Sequence, residues 1–571
     1  MVVYKSFESD ILIIGAGGAG LRASLSALEH GKSINIVTKS LIGKAHTVMA
    51  EGGIAASVGD VDKEDNWTVH FADTIVEGVY IGNWRMAELL AKQAPERVYE
   101  LERYGAVFDR TPEGKIMQRA FGGHTYRRLC HVGDKTGLEI IRTLEDKVLH
   151  TGAKMFDEVY ITKLFLNEGR FAGALGLEMR SGEFVLFKAK ALIISTGGCG
   201  RVYKVTSNSW ESTGDGLALA YNAGAELMDM EMIQFHPTGM VWPQSAKGLL
   251  VTESVRGEGG ILLNSKHERF MLKYSPEKKE LDARDVVARS NYYEIMAGRG
   301  GPHGGVYLDI SHKGRDFILK KLPGMYAQFK EFAGIDITKE AMEVAPTVHY
   351  QMGGIRVDPY TCATSVEGVF SAGEVASGLH GANRLGGNSL ADILVFGKLA
   401  GEGAAKWTDG KQETDPDENE VNDEIKRVDG LLGGNGTNPY DLIDELTSVM
   451  QDHFGIVRNG NQMKEGIRML DEIEKRSGAV MVRGGLKYNH GLLACLELQN
   501  MLVACKAIAI SANMRGESRG AHTRSDFPKR SRKWKVNIVC KKDGNKLSTR
   551  NVEVEEIPAE LAKYVKPEVY E

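Results

Sequence analysis

Apolar positions in this chain fall into short unbroken runs that end at glycines, and into longer stretches where they recur at helical spacing. The first run is Asp10-Ile11-Leu12-Ile13-Ile14. Rich in isoleucine and without polar alternation, it predicts a strand buried on both faces of a parallel sheet. Gly15-Ala16-Gly17-Gly18-Ala19-Gly20 follows at once, and Leu21, Leu25 and Leu28 then recur at helical spacing as far as Gly31, a residue suited to ending a helix. Ile34 to Val37 predicts the next strand.

Strand, glycine loop, helix and strand in so short a span form the context in which GxGxxG binds a dinucleotide. The glycines permit a tight turn and close backbone approach, so the free N–H groups at the helix start can meet a pyrophosphate. The second strand often ends in an acid that bonds a ribose, but here Thr38 and Lys39 stand there. Ordinary NAD binding is therefore disfavoured, and FAD with a different ribose contact stays open.

Two later runs repeat the theme. Ala191 to Ile194 runs into Ser195-Thr196-Gly197-Gly198, with Gly214-Asp215-Gly216 opening an alanine-rich helical stretch beyond it. Val369-Phe370-Ser371-Ala372-Gly373-Glu374 places a carboxylate just past a strand, where it can bond ribose or ribityl hydroxyls. If all three runs share one sheet, residues 236–350 are an insertion, and a ligand cleft lies between insertion and parent domain. The predicted class is α/β. A two-part Rossmann-like FAD-binding domain (residues 1–235 and 351–405) carries an inserted capping domain (236–350). A helical domain (406–525) follows, with apolar spacing at Met463, Ile467, Leu470 and Ile473, and a small C-terminal domain (526–571) with a strand near Val536 to Val539.

Composition narrows the function. The 571 residues are 42% hydrophobic, with no run of 18 apolar residues, so no segment is expected to span a membrane by itself. With the first strand starting at Asp10, there is no room for a leader before it, and the protein is expected to stay where it is made. A net charge of −5 gives no case for nucleic acid. The basic cluster Lys529, Arg530, Arg532, Lys533 and Lys535 reads first as a solvated face and second as a partner-docking site. The cysteines Cys130, Cys199, Cys362, Cys495, Cys505 and Cys540 are scattered without a CxxC pair. This argues against a structural zinc or an iron-sulfur cluster, and no metal site is expected.

Polar chemistry concentrates in segments that combine glycine with histidine or arginine: Gln234 to Gly239, Thr252 to Gly260, His349 to Gly354, and His380 to Ser389. Glycine lets backbone approach a ligand, and Arg or His supplies donors suited to carboxylates.

These segments carry a resemblance over nearly the whole chain. His46-Thr47, His236-Pro237-Thr238-Gly239, Arg256 to Gly260, Arg284-Asp285, the His349 and Arg384 segments and the late Glu517-Ser518-Arg519-Gly520-Ala521-His522 occur in the order seen in the flavoprotein subunits of succinate dehydrogenases and fumarate reductases. The chain resembles that family, and Gly43-Lys44 ahead of Ala45-His46 is most similar to the form of some bacterial and archaeal members.

The resemblance implies FAD held by Gly15, Ala16, Gly17, Gly18, Ala19 and Gly20 at the pyrophosphate. Thr38, Lys39, Ala45, His46, Thr47, Glu51, Gly52 and Gly53 would surround the adenosine and ring, Asp215 and Glu374 would meet hydroxyls, and Ser389 and Leu390 would lie near the flavin. It implies a covalent bond from His46 to the flavin 8α carbon, which raises the reduction potential. His236, Thr252, His349 and Arg384 would hold succinate or fumarate, and Arg284 would handle the proton with Glu253 and Arg256 as its relay. It further implies an iron-sulfur subunit, and through it membrane anchor subunits and quinone, so that the protein is peripheral on the cytoplasmic face of the membrane. The late Arg519 to His522 segment and the basic tail are expected toward the flavin's linked edge.

The favoured reaction is succinate oxidation, with fumarate reduction as the alternative because Glu51 resembles fumarate reductases. A soluble flavoprotein resembling L-aspartate oxidase is disfavoured, since that group lacks a histidine at the place of His46. A catalytically silent flavoprotein is disfavoured because every catalytic position is filled.

Overall fold

The three glycine-ended runs lie side by side in one seven-stranded sheet. In the computed structural model, which describes residues 4–434, 436–544 and 546–570, strand Lys5–Ile14 pairs in parallel with Ile34–Val37 on one side and with Glu183–Ile194 on the other. Val369–Ser371 in turn pairs in parallel with Glu183–Ile194. The register sets Ile14 opposite Ile194, and Ser371 opposite Ile194 from the other side. All three strands therefore end level, and the turns at Gly15, Gly197 and Gly373 emerge together at the carboxyl edge, where open α/β sheets bind ligands. The strand interiors are fully buried, from Ile11 to Ile13 and from Ala191 to Ile194, as the unbroken apolar runs predict.

The helix after the glycine loop spans Gly18–Glu29, stopping short of Gly31. It packs beneath the long helix Asn388–Thr408, whose start delivers Ser389 and Leu390 to the same edge.

The insertion is built on a four-stranded antiparallel sheet with the order Ile233–Met240, Met342–Gln351, Val306–Asp309, Ile261–Leu263. Ile233–Met240 leaves the parent domain and Met342–Gln351 returns to it, paired along their length. The boundaries expected at 236 and 350 thus fall inside two strands, which carry His236 and His349 out of one unit and into the other.

The chain's end does not fold apart from the rest. Val536–Asp543 and Lys546–Glu553 pair with each other, and Val536–Asp543 also pairs with Leu227–Met228, in a five-stranded sheet completed by Gly354–Arg356 and Ala376–Ser377. Two paired strands alone bury too little to stand in water, so residues 526–571 borrow an edge from the parent domain.

Helices Pro439–His453, Gly460–Ser477 and His490–Met514 pack together. His490–Met514 is the one helix among the described residues that is long and apolar enough to cross a membrane, yet 67% of its most apolar stretch is buried inside the protein. Leu498, Cys505, Ile508 and Ala512 along it are fully enclosed, which accounts for its apolarity as core packing. All six cysteines are buried and unpaired, and among the described residues no group of His, Cys, Asp and Glu could hold a metal ion.

Candidate active site

The glycine loop opens onto a cleft with about 1660 Å³ of atom-free space, counting its mouth. Gly15 adopts φ +106°, and a Cβ there would sit 2.3 Å from the Ser195 carbonyl oxygen. Only glycine can turn this tightly against the neighbouring strand. Gly17 stands at the helix N-cap without a side-chain cap bond of its own, and the first helical N–H, that of Gly18, donates to the Thr47 hydroxyl at 3.4 Å beside the cleft. Gly15, Ala16, Gly17, Gly18 and Ala19 line the cleft. Gly20 does not; a Cβ on it would come 1.9 Å from the Gly15 carbonyl, so it closes the helix onto the turn.

Thr38, Lys39, Ala45, His46, Thr47, Glu51, Gly52 and Gly53 line the same cleft, as do Asp215, Glu374, Ser389 and Leu390. Lys39 donates to Thr213 at 2.7 Å, to Asp215 at 2.6 Å and to Glu497 at 2.8 Å. Burial disfavours its charge, but the two carboxylates outweigh burial and raise its pKa. Asp215 is in turn taken up by Tyr160 and Asn500, each at 2.9 Å. The lysine standing where an acid is usual therefore neutralises an acid brought in from a helix.

His46 is neutral. Burial first, against the charge of Glu211 and with that of Arg384, drops its pKa to about 4. The Ser209 N–H points at Nδ1 from 3.3 Å and the Asn208 amide nitrogen faces Nε2 at 3.3 Å.

At the cap side, His236, Thr252, Glu253, Arg284, His349 and Arg384 line one wall region. Arg284 Nε donates to Glu253 at 2.8 Å, and the Gly122 N–H donates to the other Glu253 oxygen at 2.9 Å. Arg256 stands behind Glu253 at 3.6 Å, buried and outside the cleft lining. Burial pushes Glu253 upward, but Arg284 and Arg256 outweigh it and leave its pKa lowered. Arg284 and Arg384 both donate to Gln234 Oε1, each at 3.1 Å. Arg384 also donates to Ser389 at 2.9 Å, and its guanidinium lies 4.3 Å over the Tyr350 ring. The His236 and His349 rings are 5.2 Å apart. Burial, then neighbouring positive groups, keeps both well below the usual histidine range, so both are neutral.

The charges do not cancel. Glu51 is pushed up to about 8 by burial and Asp134, and Glu374 to about 7 by burial. Three arginines thus face the lowered Glu253 as the one firmly ionised acid among these groups. Arg384 Nε and two nitrogens of Arg256 are buried without a hydrogen bond. Buried cations in surplus are costly unless an anion joins them. The wall fits a small dianion whose carboxylates take charge-assisted bonds at both ends.

Phe121, Ser209 and Glu211, not singled out from the sequence, also belong here, as do Gln234 and Tyr350, which fall in the segments named from the sequence but were given no role there. Gln234 lies on the His236 strand, where residues two apart tend to share a face, and that spacing was its available signal. Phe121 packs its ring against Gly52 and Gly386, a contact between distant segments with no local pattern. The Ala521 N–H donates to Ala382 O, two residues before Arg384, so the Arg519 to His522 segment braces the loop that carries Arg384.

A two-part dinucleotide fold whose groove runs into a cationic wall under a cap defines an FAD-dependent oxidoreductase. A family profile described as FAD binding domain matches residues 10–390, and one described as fumarate reductase flavoprotein C-term matches 443–568. The chain is 46% identical to a chain of the fumarate reductase (CoM/CoB) of Methanothermobacter marburgensis, over 93% of this chain and 97% of that one. It is 40% identical to the succinate dehydrogenase flavoprotein subunit of Coxiella burnetii, over 94% and 95%. Among solved structures, Mycobacterium smegmatis Sdh1 in complex with UQ1 superposes with a TM-score of 0.89 at 48% identity, covering 99% of each chain. The chain belongs to the succinate dehydrogenase and fumarate reductase flavoprotein family, and its cofactor is FAD.

Proposed function

We propose that the chain interconverts succinate and fumarate, oxidising succinate in the favoured direction, with FAD bonded to His46. The observation that carries this reading is the pair Arg284 and Arg384 meeting at Gln234 in a cleft continuous with the glycine loop.

The residues present fit the cofactor. Ala16 and Gly17 offer N–H groups to a pyrophosphate at the start of the helix, and the buried, unpartnered oxygens of Thr196, Ser209 and Glu51 line the same space. FAD supplies hydride acceptance and donation. The chain's own groups do the rest. Arg384 and His349 receive one carboxylate and His236 and Thr252 the other, and fixing both ends aligns the reacting C–C bond. The neutral histidines donate hydrogen bonds without adding charge. Arg284, held by Glu253 and Gln234, gives or takes the proton on the adjacent carbon, and Glu253 and Arg256 pass it on. In the reducing direction Arg284 acts simply as an acid. In the oxidising direction the carboxylate 2.8 Å from Nε supplies the basicity that a guanidinium lacks.

Electrons leave through a separate iron-sulfur subunit, then anchor subunits and quinone, which makes the protein peripheral on the cytoplasmic face of a membrane. The support is chemical: all six cysteines of this chain are buried, unpaired and spread through the fold. Fumarate reduction is the second reading. The Methanothermobacter relative, at 46% identity, is named for it, and Glu51 is shared with that chemistry in the resemblance above. Purified enzyme assayed both ways with dye acceptors and donors, together with the proteins that copurify, tests the proposal. Turnover of neither dicarboxylate removes it.

A further inference from the structure

We propose that Asn383 is a positioning residue for proton transfer: its side chain ties the cap helix that begins at Arg284 to the parent-domain loop that carries Arg384. This rests on the roles given to the two arginines above.

Asn383 directly precedes Arg384 and is 1% exposed. Its amide offers two N–H donors and one acceptor oxygen, and the fold uses them on three separate elements. Nδ2 donates to Glu77 at 2.8 Å, at the end of helix Trp67–Glu77. It also donates to Asp285 at 3.1 Å, in the first turn of cap helix Arg284–Glu294. Oδ1 accepts from Gln234 Nε2 at 2.9 Å.

The oxygen and nitrogen of an amide are alike in shape, so the partners choose its orientation. Glu77 and Asp285 choose it for Asn383. A flipped amide would set its oxygen against both carboxyl groups and its nitrogen against the nitrogen of Gln234. Burial, then the charge of Asp285, holds Glu77 well above the usual carboxyl range, so Glu77 meets the amide as a neutral acid. With Asn383 fixed, Gln234 is fixed in turn. Its Nε2 is taken by Asn383 and by the Arg384 carbonyl, which leaves Oε1 for Arg284 and Arg384.

The bond to Asp285 is the direct tie, because it joins the residue before Arg384 to the residue after Arg284. Arg289 braces the same carboxylate, donating to Asp285 at 2.8 Å and to the Gly520 carbonyl at 3.1 Å. Arg284 itself is held by Glu253, which belongs to the cap, and by Gln234. Arg384 has Ser389 and the Tyr350 ring besides. Loss of the tie therefore falls on Arg284, and so on the proton, more than on dicarboxylate binding.

The test uses the full chain with bound FAD, measuring kcat for succinate oxidation and equilibrium binding of the non-reacting dicarboxylate malonate. Asn383→Leu keeps the size of the side chain and loses all three bonds. We expect kcat to fall by about tenfold to a hundredfold, with malonate affinity within about threefold of wild type. Asn383→Asp keeps the acceptor for Gln234 but sets a carboxylate against Asp285, and a similar fall in kcat is expected. Adding Asp285→Asn to Asn383→Asp returns a donor from the other side of the same bond, while the new amide oxygen can still accept from Arg289. That pair is expected to recover most of the lost kcat, which a side chain that merely filled space would not do. Where Asn383→Leu fails to retain FAD, the two Asn383→Asp proteins carry the test. Wild-type kcat in the single variants overturns the proposal, and so does a double variant no faster than Asn383→Asp. Malonate affinity that falls as far as kcat also overturns it, making Asn383 part of the binding wall. A wild-type chain that turns over neither dicarboxylate removes the functional reading and this proposal together.

Discussion

Arg284 and Arg384 converge on a single oxygen, Gln234 Oε1, which accepts from each at 3.1 Å. Two guanidinium groups of like charge are thereby held at a fixed separation inside the protein. Gln234 is also pinned from its other end, where Nε2 donates to Asn383 and to the Arg384 carbonyl, each at 2.9 Å.

Gln234→Leu removes that shared acceptor while keeping the size of the side chain. We expect kcat/KM for either dicarboxylate to fall by about tenfold to a hundredfold, or roughly 1.4 to 2.7 kcal/mol of transition-state stabilisation. Steady-state kinetics with bound FAD quantified alongside checks this, and unchanged kcat/KM would show that the arginines are held by other means.

Arg284→Ala takes away the group proposed to move the proton. Turnover is expected to fall by about a thousandfold or more, with dicarboxylate affinity largely kept because Arg384, His236, Thr252 and His349 remain. Equilibrium titration of the variant with the non-reacting dicarboxylate malonate separates the two effects. An active variant would take Arg284 out of the mechanism.

His46→Ser leaves the glycine loop intact, so FAD should remain bound but come free on denaturation. Without the electron-withdrawing imidazole the flavin is a weaker oxidant, and succinate oxidation should drop about tenfold more than fumarate reduction. Equal loss in both directions would contradict the potential-raising role.

Glu51 makes the flavin-free protein sensitive to pH. Burial, with Asp134, pushes its carboxyl to about 8 from an ordinary 4.5. Between those values the folded chain binds a proton that the unfolded chain has released. This group's contribution to stability therefore falls as pH rises through that window, by up to about 1.4 kcal/mol per unit, and levels off above it. Melting of flavin-free Glu51→Gln should lose less stability than wild type over the same range. Parallel pH curves for the two proteins would refute the assignment.

The parts of this molecule legible in the sequence are those with local causes. Asp10 to Ile14, Ala191 to Ile194 and Val369 to Ser371 each announce a buried strand by unbroken apolarity, and they do share one sheet. Gly15 and Gly20 announce the turn because no other residue fits it. What stayed hidden depends on contacts between distant segments. Nothing near Val536 says that its strand will pair with Leu227 and Met228. Gln234 becomes a site residue only when Arg284 and Arg384 arrive from segments 50 and 150 positions away. Lys39 reads as a missing acid until the helix that begins at Asp215 brings the acid to it. Apart from the pair of Gly20 and Arg256, which support the cleft from behind, every site residue named from the sequence lies on its lining.

The central claim is that one cleft joins FAD to a dicarboxylate site, and the most direct measurement of it is the visible absorbance of the purified flavoprotein under anaerobic conditions. Adding succinate should bleach the flavin band, and fumarate should restore it, both without any partner protein. A flavin band untouched by succinate, in protein whose FAD is bleached by dithionite and restored by air, would contradict the account.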